Sequence, residues 1–121
     1  MELKINTPVQ AAILFEQNQP LIIANIELPR TLEAGQIFVK LHTSGICGSQ
    51  IGEIKGVKGK DLYLPHLMGH EGCGTVLQVG DGVKTVDVGD KVVLHWKKGS
   101  GIESNTPKYL LNGKIINAGW V

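Results

Sequence analysis

Gly69-His70-Glu71-Gly72-Cys73-Gly74-Thr75-Val76 sets an imidazole and a carboxylate side by side in a glycine-rich turn, then runs into an apolar stretch. Upstream, Gly45-Ile46-Cys47-Gly48-Ser49 sets a thiol in a second glycine-rich turn, just after another apolar run. Thiolate, imidazole and carboxylate are the donor set of a zinc site. The 23 positions from Cys47 to His70 do not form a compact finger pattern. Donor type alone therefore leaves Cys47 open to a second reading as a small buried hydrophobe, and His70 to one as a core histidine. The two glycine frames are what set these residues apart from a chance pair.

Outward from these turns the chain reads as short strands. Val9–Phe15 and Leu21–Leu28 are apolar runs separated by the turn Gln17-Asn18-Gln19-Pro20, and Pro29 stops the second, so a hairpin is expected. Ile37–Ser44 follows the connector Leu32–Gln36. It alternates apolar and polar residues up to His42, apart from Phe38, and delivers the Cys47 turn. Ser49–Lys55 is expected to form a short helical turn with Ser49 as its cap. A thiol at such a helix start titrates low, which favours the thiolate a metal needs. Gly56–Asp61 reads as a flexible loop. Cys73–Gly80 and Lys91–Trp96 read as strands separated by turns at Asp81-Gly82-Val83 and Val86–Asp90, and Lys97–Lys114 reads as polar and loop-like. Sixteen glycines and five prolines spread along the chain favour many short strands over long helices. About six strands with close turns predict a mainly β fold, a small, partly open β-barrel with short helical turns.

Composition narrows the function classes. The 121 residues suffice for a hydrophobic core, and 42% hydrophobic with 19% charged residues suits a globular chain. A net charge of +1 gives no electrostatic case for nucleic acid or an anionic membrane. No apolar run approaches the roughly 20 residues of a spanning helix. Met1–Asn6 has no signal-peptide core, so the expected location is cytoplasmic. Cys47 and Cys73 could formally pair, but a reducing compartment argues for free thiols.

The two turns resemble the catalytic-zinc half of the zinc-dependent medium-chain alcohol dehydrogenases. There a G-x-C-G-[ST] turn and a G-H-E-x-x-G turn each contribute to the active-site metal. Val88-Gly89-Asp90-Lys91-Val92-Val93 matches that family's "G-D-x-V" strand. The resemblance runs from about Val9 to the end of the chain and covers the N-terminal GroES-like catalytic domain. It implies one GroES-like domain over residues 1–121, as part of a longer enzyme. The nucleotide-binding Rossmann domain is expected outside this stretch, since the sequence holds no G-x-G-x-x-G. It implies zinc as Lewis acid, held by Cys47 and His70, with Glu71 an occasional ligand or a neighbouring carboxylate. Ser49 would touch the substrate oxygen and start a proton relay. NAD or NADP would carry hydride to or from a small alcohol or aldehyde, and no cofactor-binding residue lies in this stretch. The expected function is therefore hydride transfer by the full enzyme, with the isolated chain inactive and a homo-oligomer left open as its macromolecular partner.

Three positions depart from the family pattern. Gln50 stands where an aspartate usually supports the histidine ligand. Gly52 stands where many members carry the outer histidine of the relay, so His42, His66 and His95 are the histidines left to consider, each also readable as surface or structural. Lys97–Ser104 holds none of the four cysteines of the usual structural-zinc lobe. Trp96 and Trp120 read as core or interface aromatics, with a substrate-cleft role open to Trp96. Two other readings compete: a zinc-free, quinone-reductase-like branch, against which Cys47 and His70 count, and a stand-alone GroES-like binding or assembly module using the Gly56–Asp61 loop.

Overall fold

A computed structural model describes residues 8–118. In chain order it contains β1 (Val9–Ile13), β2 (Ile22–Ile26), β3 (Ile37–Thr43), α1 (Gly48–Lys55), β4 (His66–Leu67), β5 (Gly72–Val79), β6 (Lys91–Leu94), β7 (Tyr109–Leu111) and β8 (Lys114–Ala118). The chain is mainly β with one short helix, the class the sequence predicts. Trp120 lies outside the described residues. Chain contacts divide the fold into two units, one built on β3, β5 and β6 (Pro29–Gly45 and Glu71–Pro107), the other on residues 8–28, Ile46–His70 and 108–118.

In the second unit β1 and β2 pair antiparallel from Val9–Ile26 to Ile13–Ile22, the expected hairpin. β7 and β8 form a second hairpin, and β8 pairs parallel with β4. Two isolated bridges join these pieces. Leu14 exchanges backbone hydrogen bonds with His66 (3.0 and 2.8 Å), and Glu27 does so with Leu110 (2.8 and 3.0 Å). The circuit β1-β2-β7-β8-β4 thus returns to β1, a small barrel sewn by a single bridge at two of its seams. Inside it Ile13, Ile26, Leu111 and Ile116 are buried, with Val9, Ala11, Ala24, Leu67 and Tyr109 against them. Burial pushes the Tyr109 phenol above its ordinary value.

The region read as loop from Lys97 to Lys114 is therefore partly strand. Its signal was Asn112-Gly113, both residues with positive φ (51° and 78°), the two-residue turn whose twist suits a tight hairpin. The loop Gly56–Asp61 is also more constrained than expected. Gln17 Nε2 donates to the carbonyls of Glu53 (2.9 Å) and Gly59 (3.0 Å), and Gln17 Oε1 accepts from the Asp61 amide (3.1 Å).

The first unit is the antiparallel sheet β3-β5-β6, with register breaks in β3 at Phe38/Val39 and Leu41/Thr43. Along β5, Gly74, Val76 and Gln78 point inward at period two. Polar contacts close its edge: Gln36 accepts from the Glu33 amide (2.9 Å) and donates to the Asn105 carbonyl (2.8 Å), while Asn105 donates to the Glu33 carboxylate (2.8 Å). Trp96 is 80% exposed, which corrects its assignment to a core. It follows β6, whose alternate residues Lys91 and Val93 are also exposed.

Ile13 is wholly buried at the centre of the second unit's core. Ile13→Ala is expected to destabilise the chain by about 2–5 kcal/mol through lost burial and the cavity left behind. Denaturant titration of both proteins checks this.

Candidate metal centre

Cys47 stands at the N-cap of α1, in extended conformation (φ −93°, ψ 151°). Gln50, buried in the first turn, turns its Oε1 back to accept the Cys47 amide at 2.8 Å. This is half of a capping box and satisfies a donor that the helix leaves unmet. Cys47, not Ser49, is thus the cap residue. Extended backbone at Cys47 puts the helix start ahead of the position the hydroxyl suggests, and Ser49 falls inside the first turn. Its hydroxyl points at the thiol instead, donating to Sγ at 3.3 Å. At the other end of α1, Gly56 (φ 71°) supplies the left-handed cap that ends the helix.

His70 closes the segment that starts at β4. Its ligand nitrogen lies within 4.8 Å of Cys47 Sγ. Gly69 precedes it with φ 131°, a conformation essentially reserved for glycine, and so turns the chain sharply to present the imidazole. The Cys47 thiol is lowered from its ordinary 9.0 to about 7. The Ser49 hydroxyl is the first cause, the Ser49 amide the second and His70 the third, against a small opposing effect of burial. At neutral pH much of Cys47 is therefore thiolate, the form that binds a metal. Thiolate and imidazole in reach of one another fit zinc, although two donors fall short of the three protein ligands of a catalytic site.

Glu71 is the first residue of the sheet unit's second segment and is described within that unit. It is exposed, its carbonyl accepts the Ser44 hydroxyl at 3.0 Å, and its side chain lies over Gly45. A Cβ on Gly45 would sit 2.5 Å from Glu71 Oε2, so the first glycine of the thiol turn makes room for the carboxylate of the other turn. Gly52 is half-buried and offers no group to a relay. His42 bonds Thr75 Oγ1 (2.8 Å), the exposed His95 accepts the Lys97 amide (3.1 Å), and His66 is fully buried on Asp61. Each has a structural role within its own unit. Cys47 and Cys73 are both free thiols. The sequence reading missed Asp61, taken as loop although it sits five residues before the buried His66.

The comparisons with known proteins come to the same place. Residues 33–116 match the family described as alcohol dehydrogenase GroES-like domain. An alcohol dehydrogenase of Geobacillus stearothermophilus is 32% identical over 93% of this chain and 35% of its own length. An S-(hydroxymethyl)glutathione dehydrogenase of Synechocystis is 36% identical over 69% of this chain and 22% of its own. Among solved structures, an alcohol dehydrogenase zinc-binding domain protein from Burkholderia ambifaria superposes with a TM-score of 0.63 at 28% identity, covering 70% of this chain and 22% of that one. The chain belongs to the alcohol dehydrogenase GroES-like domain family, whose curated relatives here are dehydrogenases, and it spans about a third or less of their length.

The source of the low thiol pKa can be tested in a Cys73→Ser background, where Cys47 is the one reactive thiol. Only thiolate alkylates, so the rate with iodoacetamide is expected to rise with pH through a midpoint near 7. Ser49→Ala removes the first-ranked stabiliser of the thiolate, and the midpoint is expected to move up toward the ordinary thiol value.

Proposed function

We propose that this chain is the zinc-holding catalytic part of a zinc-dependent, NAD(P)-linked alcohol dehydrogenase that exchanges hydride with a small alcohol or aldehyde. The observation that carries the reading is the activated pair: a Cys47 thiol lowered to about 7 with the His70 imidazole within 4.8 Å, on a chain of the alcohol dehydrogenase GroES-like family. In this reading Cys47 and His70 hold zinc, Glu71 serves beside them as ligand or carboxylate neighbour, and a further ligand and the nicotinamide site come from the remainder of a longer protein.

Zinc, when bound, supplies Lewis-acid polarisation of the substrate oxygen. The chain's own residues handle position and protons. Gln50 fixes the backbone of Cys47 through its amide. A hydroxyl has one donor and two acceptor sites, so Ser49 can keep its bond to Sγ and still accept the hydrogen of a substrate alcohol. To pass a proton on, Ser49 would turn its own hydrogen from Sγ to a water as it takes the substrate's, because Gly52 has no side chain to receive it. Two free thiols suit a reducing compartment, which supports a cytoplasmic location. No helix among the described residues is long and apolar enough to cross a membrane.

The test uses the natural gene product, assayed for alcohol-dependent reduction of NAD and of NADP after zinc loading. The reading expects activity that a chelator abolishes and added zinc restores. Cys47→Ser should cost more than the roughly 10- to 100-fold that losing a supporting partner costs. The 121-residue chain alone is expected to be silent with either cofactor. Turnover that survives both chelation and Cys47→Ser would transfer the protein to the zinc-free, quinone-reductase-like reading.

A further inference from the structure

One half-buried side chain in the turn between β1 and β2 reaches both segments that deliver the candidate donors. Gln17 Nε2 donates to the Glu53 carbonyl in the last turn of α1 (2.9 Å) and to the Gly59 carbonyl in the loop after it (3.0 Å). Gln17 Oε1 accepts the Asp61 amide at 3.1 Å. Both hydrogens of the amide and its oxygen are therefore spent on one stretch of chain. We propose that Gln17 is a positioning residue, whose side chain sets the separation of Cys47 from His70 and thereby the affinity of that pair for zinc. The metal part of this rests on the zinc reading above; the separation rests on the geometry alone.

The bonds form a closed circuit. Leu14 is paired with His66 through the backbone, and His66 Nδ1 is 2.9 Å from Asp61 Oδ2. The Asp61 amide is bonded to Gln17, and Gln17 returns to Leu14 along three residues of chain. The circuit thus fixes Gln17 relative to the start of β4, and Gln17 also holds α1. The last carbonyls of a helix have no partner within it and are open to such a tie. The Asn18 N–H takes one of them, at Ile54 (2.7 Å). A helix held at one point pivots about it. The Gln17 bond to the preceding carbonyl, Glu53, is the second point that stops the pivot.

Cys47 stands at the opposite end of that helix. The eight residues of α1 span about 12 Å, so a tilt at the anchored end is carried to the thiol. His70 lies only four residues beyond His66, which the same circuit holds. Metal–ligand distances tolerate about 0.2 Å of error, and a site whose supports are loose binds poorly even when its donors are present. Gln50 fixes the backbone of Cys47 on its own helix; Gln17 fixes where that helix lies relative to the segment that carries His70.

The test uses the zinc-stripped natural gene product, with Co²⁺ as the probe. Thiolate-to-Co²⁺ charge transfer absorbs in the near ultraviolet, and the band is expected to lose intensity in Cys47→Ser. Gln17→Met keeps the length of the side chain and removes its three bonds. It is expected to bind Co²⁺ about ten-fold or more weakly, the loss typical of a supporting partner, with the band unshifted because the donors are the same. Gln19→Met, at an exposed position in the same turn, is expected to leave the affinity unchanged. Gln17→Glu keeps the acceptor for the Asp61 amide but has no hydrogen to give; it is read in place of Gln17→Met should that variant not fold, with the same expected direction. A second readout needs no metal. Cys47 and His70 lie close enough that Cys47→Ser is expected to shift the His70 ring resonances. That shift is expected to shrink in the Gln17 variant, whereas a contact that only stabilises the fold lowers Tm and leaves the coupling of the pair intact. Absence of any Cys47-dependent band overturns the zinc reading, and the metal-free coupling then decides the role of Gln17 by itself. The proposal is overturned if the Gln17 variant binds Co²⁺ as tightly as its parent, or if the His70 shift on Cys47→Ser is the same with and without Gln17. Gln17 is then a clamp on the loop after α1 and nothing more.

Discussion

The backbone pair between Leu14 and His66 is the constraint on which the unit that carries Cys47 and His70 turns. It closes the strand circuit on the side where β1 ends, and it sets where β4 begins. His70 follows four residues later. A few residues past Leu14, the Gln17 amide and the Asn18 N–H (2.7 Å to the Ile54 carbonyl) hold the last turn of α1. A helix of eight residues is stiff over that length, so anchoring its end positions Cys47 at its start. Residues 14–18 therefore govern both donors, although Cys47 and His70 are far apart in the chain. The thiol and the imidazole stay in reach of one another because both segments hang from one turn.

That turn works through polar contacts more than through apolar burial. The barrel's buried hydrophobic cluster is four residues, while Gln50, Asp61 and His66 are as deeply placed in the same unit. A typical hydrogen bond adds about 1 kcal/mol net, whereas leaving a buried partner unmet costs about 1–3 kcal/mol. The Gln17, Gln50 and Asp61 contacts thus select one arrangement of α1 and its following loop by penalising the others. The small apolar cluster supplies the general drive to close the barrel. Stability and site geometry are consequently carried by different residues of one unit.

Much of this was legible in the sequence because its signals are local. The β1–β2 hairpin was written in two apolar runs around a polar turn, and the thiol and imidazole turns in their glycine frames. Cys47, His70 and Ser49 do lie together at the start of α1. The rest depended on partners distant in the chain. Gln17 read as an ordinary turn residue because its three bonds go to positions 53, 59 and 61. Gly56–Asp61 looked loose for the same reason, and Asp61 was read as part of that loop because nothing local shows its contact with the buried His66. Ser49 looked like the cap because hydroxyls usually cap, but extended backbone at Cys47 moved the helix start ahead of it. Asn112-Gly113 was a local signal that the polar composition around it concealed.

The glycines of the two turns are not interchangeable spacers. Gly69 is required by its backbone: a Cβ there would meet no atom within 4 Å, yet φ 131° excludes other residues. Gly45 is favoured by space more weakly: its own backbone is unexceptional, and what fills the place a methyl would take is the end of the exposed Glu71 side chain, which a substitution would push aside. Gly48, at the first position of α1, meets neither restriction, since a Cβ on it would find no atom within 4 Å and its backbone is helical. A turn written G-x-C-G therefore asks two different things of its glycines. The first one leaves room for a carboxylate that arrives from the other turn. The one after the thiol faces open space, where a Cβ would meet no atom within 4 Å. The motif is thus read as a set of clearances around a thiolate rather than as a flexible loop.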